Sequence, residues 1–187
     1  MRNQVLQYSR GRGPKAMNNK LTYGGNKMKQ KDQELSFLKE PHLFEVCIIV
    51  KDLERSLEQF HTLFDMTPYS VMEGKISGLS VRGKKMPAAR IKFAFFRAGP
   101  MRLELLQPIE GESLYTEFLR EKGIGIHHIV FRVSDLDSDV AQLEKRGVAI
   151  SQRIDIPEAN LKFVTLDTED VAGVCFELVQ SAGMPGE

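Results

Sequence analysis

One pattern of apolar and polar residues occurs twice along the chain. The stretch EVCIIVKDLERSLEQF, which begins at Glu45, returns as HIVFRVSDLDSDVAQL from His128, a displacement of eighty-three residues. Each copy predicts a strand, then an Asp-Leu pair in which the Asp is a suitable helix N-cap, then an amphipathic helix. The apolar stripes of the two helices are Leu53, Leu57, Phe60 and Phe64, and Leu136, Val140 and Leu143.

A second repeated pattern ends each half of the chain. RLELLQP begins at Arg102 and CFELVQS begins at Cys175, seventy-three residues later, and each places one Glu inside an apolar strand. Two further strand-like runs precede each closing strand, so each half is predicted to be a βαβββ unit. The first half holds about ten more residues than the second, and we predict that the segment ISGLSVRGKKMPAA forms them as a loop. The joining segment IEGESLYTEFLREKGIG predicts a short helix.

Alternation along these strands sorts their polar side chains onto two faces. One face carries the apolar residues that cover the helices, and the other carries Glu45, Glu104, His128 and Glu177. By the same count His127 lies on the helix-covered face, where a structural role is expected. If the two sheets curve together, the four ionisable residues converge. One imidazole and three carboxylates suit a divalent ion with octahedral or near-octahedral geometry and one or two open positions.

Each of these residues taken singly has a simpler interpretation. A lone Glu in a strand usually lies at an edge with its carboxylate in water, and a lone His is usually a hydrogen-bonded core residue. The four form two pairs related by the internal repeat, however, and coincidence explains that relation poorly. The repeat therefore favours a ligand cluster.

The composition is that of an ordinary globular protein. The chain has 187 residues, of which 42% are hydrophobic and 27% charged, with a formal net charge of +1. Cys47 and Cys175 lie in apolar strand-like runs, which indicates free buried thiols in a reducing compartment. No apolar run reaches the roughly 18 residues that a membrane span needs. We therefore expect a cytoplasmic protein with no membrane or nucleic-acid partner.

The charge is unevenly distributed. Residues 1–31 contain eight of the 26 Lys and Arg residues and none of the 25 Asp and Glu residues. This segment lacks periodicity and is predicted to be disordered; an organelle transit peptide, a weak nucleic-acid patch and a start at Met17 or Met28 are the alternatives. The predicted organisation is a basic extension over 1–40, a domain over 41–180 with modules at about 43–108 and 126–180, and a tail over 181–187.

The motifs VKDLERSLEQF, RIKFAFFRAGPMRLELLQPIEGES, FLREKGIGIHHIVFRVSDL and GVCFELVQ resemble the vicinal oxygen chelate superfamily, which has the glyoxalase / bleomycin resistance fold. The resemblance runs from Phe44 to Gln180 and is closest to methylmalonyl-CoA epimerase. It implies an α+β fold in which two tandem βαβββ modules form a cup-shaped mixed sheet around a metal. It also implies a homodimer and a small-molecule substrate, either an acyl-CoA thioester or a thiol conjugate.

The resemblance implies that Glu45, Glu104, His128 and Glu177 bind a divalent metal ion, namely Co, Mn, Ni, Mg or Zn. Glu45 departs from the family pattern, where His or Gln is found, and its added charge favours oxygen-preferring metals over zinc. Glu177 is the expected catalytic base for proton removal beside a carbonyl, through an enolate. A second acid or base is expected from an earlier strand, where this sequence has Arg90 and Lys92. Lys92 is interpreted as a solvated edge residue, with a proton donor as the alternative.

Three alternatives to an epimerase-like isomerase remain open. The first is a lyase similar to glyoxalase I (lactoylglutathione lyase), and the second is a non-catalytic module of the same fold that binds a small molecule. The third is an extradiol dioxygenase. It is disfavoured because iron in such enzymes prefers two His residues and one carboxylate, and His128 is the only His predicted on the inner face.

Overall fold

A computed structural model describes residues 42–181. The extension predicted over 1–40 lies outside the described residues, as does all of the predicted tail beyond Ser181. The first half contains the elements β1 (His42–Ile49), α1 (Leu53–Phe64), β2 (Ser70–Ile76), β3 (Leu79–Val81), β4 (Lys84–Lys85), β5 (Ala89–Ala98) and β6 (Met101–Glu110). The connecting helix is α2 (Leu114–Glu121).

The second half repeats the strand–helix–strands order. Its elements are β7 (Gly125–Arg132), α3 (Leu136–Glu144), β8 (Ile150–Ile156), a short 3₁₀ turn (Pro157–Ala159), β9 (Leu161–Leu166), α4 (Glu169–Ala172) and β10 (Cys175–Ser181). In the described part of the chain, no helix is long and apolar enough to cross a membrane.

All ten strands of residues 42–181 form one mixed sheet in the order β2-β5-β6-β1-β7-β10-β9-β8-β3-β4. The strands β1 and β7 pair antiparallel at its centre, and each pairs in parallel with the closing strand of its own half. Glu45 lies opposite Arg102, and the equivalent residues His128 and Cys175 also lie opposite one another. The predicted α+β fold of two tandem βαβββ modules is therefore confirmed, with both modules in one chain.

The helices α1 and α3 cover one face of this sheet, as the alternation predicts. Leu53 of α1 packs with Leu105 and Phe96, and Leu136 of α3 packs with Leu178. The predicted N-caps also form, since Oδ1 of each Asp accepts a hydrogen bond from the amide three residues ahead. Because Glu104 and Glu177 alternate with these apolar residues, the opposite face of the sheet receives the carboxylates.

Three glutamine side chains support the first turns of three helices. The Oε1 atom of Gln107 in β6 accepts from the amide of Leu53, and the repeat-equivalent Gln180 in β10 does the same for Leu136. Gln152 in β8 accepts from the first amide of α2. The first-turn amides of a helix have no intrahelical acceptor, so each glutamine ties a helix to a particular strand.

The sequence predicts that the segment ISGLSVRGKKMPAA is a loop. The structure instead shows two short strands in it, β3 and β4. The strand β3 pairs antiparallel with β8 of the second half. The chain therefore passes from β2, at one edge of the sheet, to β3 and β4 at the opposite edge. The chain crosses to β8 at Gly78, where a Cβ atom would lie 2.3 Å from the carbonyl oxygen of Asp155. An apolar cluster that includes Ile76, Leu79 and Ile154 fills this end of the cup.

Candidate metal centre and cavity

Three potential ligands stand side by side on the inner face at the centre of the sheet. Cys47 in β1 lies directly opposite Glu104 in β6 on one side and His128 in β7 on the other. All three are buried, and their ligand atoms lie within 4.8 Å of one another. Residues in register on adjacent strands project side chains in the same direction, so the strand pairing itself brings these donors together.

Glu45 lies in the neighbouring row and has a buried cationic partner. Arg102, directly opposite in β6, donates from Nε to Oε2 of Glu45. The guanidinium carbon of Arg102 lies 3.9 Å from the ring centroid of Phe95 and 4.5 Å from that of Phe44. Burial raises the pKa of the Glu45 carboxyl, and the Arg102 charge opposes that rise. The carboxylate predicted as a ligand is thus held in an ion pair.

Glu177, in β10, is the fourth ionisable residue that the sequence predicts on the inner face. Its Oε2 accepts a hydrogen bond of 2.6 Å from Oγ1 of Thr165, and its Oε1 lies 3.6 Å from Nε2 of His128. Burial raises the pKa of Glu177 to about 7, while the Thr165 hydroxyl acts in the opposite direction. One oxygen of this carboxylate is therefore anchored, and the other faces the His128 ring.

His127 departs from the regular alternation. Cys47 is opposite His128 while Ile48 is opposite Ile126, so His127 is the extra residue of a β-bulge. Its Nδ1 lies 2.7 Å from Nδ1 of His128, and its ring packs edge-on against Tyr115 and Phe118 of α2. The prediction that His127 lies on the face covered by α1 and α3 is wrong, because the bulge turns its side chain toward His128 and α2.

The floor of a cavity of about 330 Å³ is lined by Glu45, Glu104, His128 and Glu177, and its other walls are largely apolar. The strands β2 and β5 form one wall with the residues Met72, Gly74, Lys75, Ile76, Ile91, Phe93 and Phe95. Lys75 is the only ionisable residue among them, and it is exposed. Lys92 lies outside the cavity in an ion pair with Glu54 of α1, which agrees with its interpretation as a solvated residue.

The buried acids of this site could hold a divalent cation. Burial raises the pKa of Glu104 well above its usual value, and the neighbouring Glu45 adds to the rise. His128 is neutral at pH 7 because burial lowers its pKa to about 3. Among the described residues that line the cavity, Arg102 is the buried cation, and it is paired with Glu45. Buried carboxyl groups in excess of buried cations are either protonated or paired with a bound cation, so these residues fit a metal.

The sequence pattern located four residues that line this one cavity: Glu45, Glu104, His128 and Glu177. It did not single out Cys47, although Cys47 lies two positions from Glu45 on the same face. Nor did it single out Arg102, two positions from Glu104. The alternation places both Cys47 and Arg102 on the inner face. It does not give the cross-strand partner of either residue, because that partner is set by strand register.

Comparisons with known proteins agree with this architecture. The model of the Glyoxalase/Bleomycin resistance protein/Dioxygenase superfamily matches residues 44–165. The human mitochondrial methylmalonyl-CoA epimerase is 26% identical over 138 residues, which cover 73% of this chain and 72% of that protein. The Bacillus subtilis protein YqjC is 33% identical over 95 residues, which cover 50% of this chain and 68% of that protein.

Among solved structures, the crystal structure of methylmalonyl-CoA epimerase from Mycobacterium tuberculosis is similar, with a TM-score of 0.56 and 26% sequence identity. The similarity covers 75% of this chain and 88% of that one. The sheet is built from two βαβββ modules, and the family model matches most of the described chain. The chain belongs to the Glyoxalase/Bleomycin resistance protein/Dioxygenase superfamily.

Proposed function

We propose that the protein is a divalent-metal-dependent isomerase that moves a proton next to a carbonyl or thioester, in the manner of methylmalonyl-CoA epimerase. The observation that carries the proposal is the placement of Glu104, His128 and Glu177 together at the floor of an apolar cavity. An apolar cavity with a few convergent polar groups is the usual form of a small-molecule site. The similarity to methylmalonyl-CoA epimerases supports an acyl-CoA thioester as the substrate.

Glu104 and His128 would hold the metal ion, which when bound supplies positive charge beside a carbonyl oxygen. Glu177 serves as the base, and its Oε1 takes the proton from the carbon next to the carbonyl. The electron pair of the broken C–H bond moves toward the carbonyl oxygen, which gives an enolate. For inversion, a proton from solvent then adds to the opposite face of the same carbon, and Glu177 releases its proton to solvent. Thr165 holds the other oxygen of Glu177, so the base keeps one orientation as it takes the proton.

The apolar wall of β2 and β5 supports a second candidate, a lyase similar to glyoxalase I. Inversion at a carbon by two bases requires an acid or base on each side of the substrate. Among the described residues of that wall, the exposed Lys75 is the only ionisable one. Proton transfer by Glu177 alone on one side would suit the conversion of a thiol conjugate. A non-catalytic binding module is the third possibility that the experiment addresses.

Metal analysis and isotope exchange on the full chain test the proposal. Wild-type protein is loaded with Co²⁺, Mn²⁺, Ni²⁺, Mg²⁺ or Zn²⁺ and incubated in deuterium oxide with one stereoisomer of methylmalonyl-CoA. We expect metal uptake and deuterium incorporation with loss of configuration. Glu104→Ala should lose both, whereas Glu110→Ala on the same strand should lose neither, because the Glu110 side chain is 69% exposed.

The other outcomes separate the alternatives. Turnover of a hemithioacetal without exchange on methylmalonyl-CoA supports the lyase instead. Metal uptake with no turnover of either substrate supports a binding module. A wild-type protein that takes up no divalent ion under any loading condition contradicts the proposal.

A further inference from the structure

We propose that Cys47 is a metal ligand and that, with Glu104 and His128, it forms a three-ligand centre containing one thiolate. This inference rests on the proposed function, because it presumes that the cluster binds a metal. The three residues occupy one row across β6, β1 and β7, with Cys47 directly opposite each of the other two. The ligand atoms of the three residues all lie within 4.8 Å of one another.

The internal repeat explains why the donor in the first module shifts from Glu45 to Cys47. Glu45 is the counterpart of His128, but its cross-strand neighbour is Arg102, where the second module has Cys175. The guanidinium of Arg102 binds Oε2 of the Glu45 carboxylate, so the charge of Glu45 is already balanced by a buried ion pair. Cys47 lies one alternation further along β1, on the same face, directly between Glu104 and His128.

A thiolate in this position changes the chemistry of the centre. Cysteine sulfur is a soft ligand, so a Cys–Glu–His set favours zinc or cobalt over magnesium or manganese. The sequence analysis, which takes Glu45 as a ligand, instead favours oxygen-preferring metals over zinc. A bound metal deprotonates a coordinating thiol, and its positive charge offsets the cost of a buried thiolate.

Three protein ligands also leave a fourth position open toward the cavity, as in catalytic zinc sites. Glu177, whose Oε1 lies 3.6 Å from Nε2 of His128, is then not required as a ligand. Its carboxylate is available to accept a proton from a substrate bound at the open position. Metal binding and proton removal, both of which the sequence analysis assigns to Glu177, are then carried out by different residues.

Cobalt spectroscopy on the full chain tests the inference. A thiolate bound to Co²⁺ gives a ligand-to-metal charge-transfer band in the near ultraviolet, which imidazole and carboxylate ligands do not give. The chain has two cysteines, so the source of the band can be assigned. We expect the band in wild type, in Cys175→Ser and in Glu45→Gln, and its complete loss in Cys47→Ser and Cys47→Ala.

X-ray absorption at the zinc edge on the wild-type protein gives a measurement that needs no substitution. We expect one sulfur scatterer at about 2.3 Å. Metal uptake without a sulfur scatterer or a charge-transfer band overturns the inference and leaves the proposed function standing. A band that persists in Cys47→Ser, or that disappears in Cys175→Ser, also overturns it. No metal uptake by wild type overturns the proposed function together with the inference.

Discussion

Arg102 and Glu45 form a buried ion pair between directly opposed residues of β6 and β1 at the floor of the cavity. Removing one partner leaves an uncompensated buried charge, so we expect Arg102→Met to lower the free energy of unfolding by about 3–5 kcal/mol. The double variant Arg102→Met/Glu45→Gln should recover a large part of this loss. Urea denaturation of the four proteins in a double-mutant cycle measures the coupling, and additive losses would contradict an interacting pair.

The crossing of Gly78 over Asp155 should be essential to the hairpin that closes the cup. Gly78 has a φ of 63°, and Gly83 in the same hairpin has a φ of 76° but no atom near its Cβ position. Both Gly→Ala variants place an L side chain in the left-handed region, at a cost of about 1–2 kcal/mol. Gly78→Ala should cost more than this because of its clash with the Asp155 carbonyl oxygen.

Thermal unfolding compares the two glycine variants, and hydrogen exchange shows where the difference arises. We expect faster exchange of the Arg82 and Asp155 amides, which donate to Ser151 and Gly78 across the β3–β8 pairing, in Gly78→Ala than in Gly83→Ala. Equal stability and equal exchange in the two variants would show that the close approach is not a constraint.

Gln107 and Gln180 should make equivalent contributions to the two modules. Replacement by Leu leaves the first amide of α1 or of α3 without the glutamine acceptor, which we expect to cost about 1–3 kcal/mol in each case. Replacement by Glu keeps an acceptor oxygen, so Gln107→Glu is the matched control and should be closer to wild type. A Gln107→Leu variant as stable as wild type would show that another acceptor serves the Leu53 amide.

His127 should act as a positioning residue for His128. The Nδ1–Nδ1 distance of 2.7 Å requires that one ring donates to the other. Donation by His128 leaves its Nε2 without a proton and able to bind a metal. We expect His127→Phe to weaken Co²⁺ affinity by about 10- to 100-fold, with His127→Asn, which keeps an acceptor, closer to wild type.

Calorimetric titration with Co²⁺ measures these affinities. Nitrogen-15 NMR of the metal-free protein reports the tautomer of His128 without relying on metal binding. If His127→Phe leaves the Co²⁺ affinity and the tautomer of His128 unchanged, His127 has no positioning role and only packs against Tyr115 and Phe118.

Thr165 should orient the base. Thr165→Val keeps the shape of the side chain but removes the donor to Oε2 of Glu177. We expect the rate of deuterium exchange into substrate to fall by about 10- to 100-fold, because the carboxylate is no longer held in one position. Thr165→Ser retains the hydroxyl and should keep most of the rate. Equal rates in the Val and Ser variants would contradict a positioning role.

The sequence by itself determined the two modules and the face on which the polar residues lie. A displacement of eighty-three residues relates Glu45 to His128, and the register of β1 against β6 and of β7 against β10 confirms it. These features follow from the period of hydrophobic residues, which is local and is written directly in the chain. For the same reason the alternation identified the inner-face carboxylates Glu104 and Glu177.

The tertiary structure decided which inner-face residues meet. The pairing of Arg102 with Glu45 joins residues fifty-seven positions apart, and the contact of His127 with His128 depends on a β-bulge. The hairpin at Gly78 pairs with a strand of the other module. Strand register, bulges and ion pairs are set by packing across the whole sheet, and a repeat in sequence does not encode them. The alternation therefore gave the face on which Cys47 lies, and only the folded sheet placed it between Glu104 and His128.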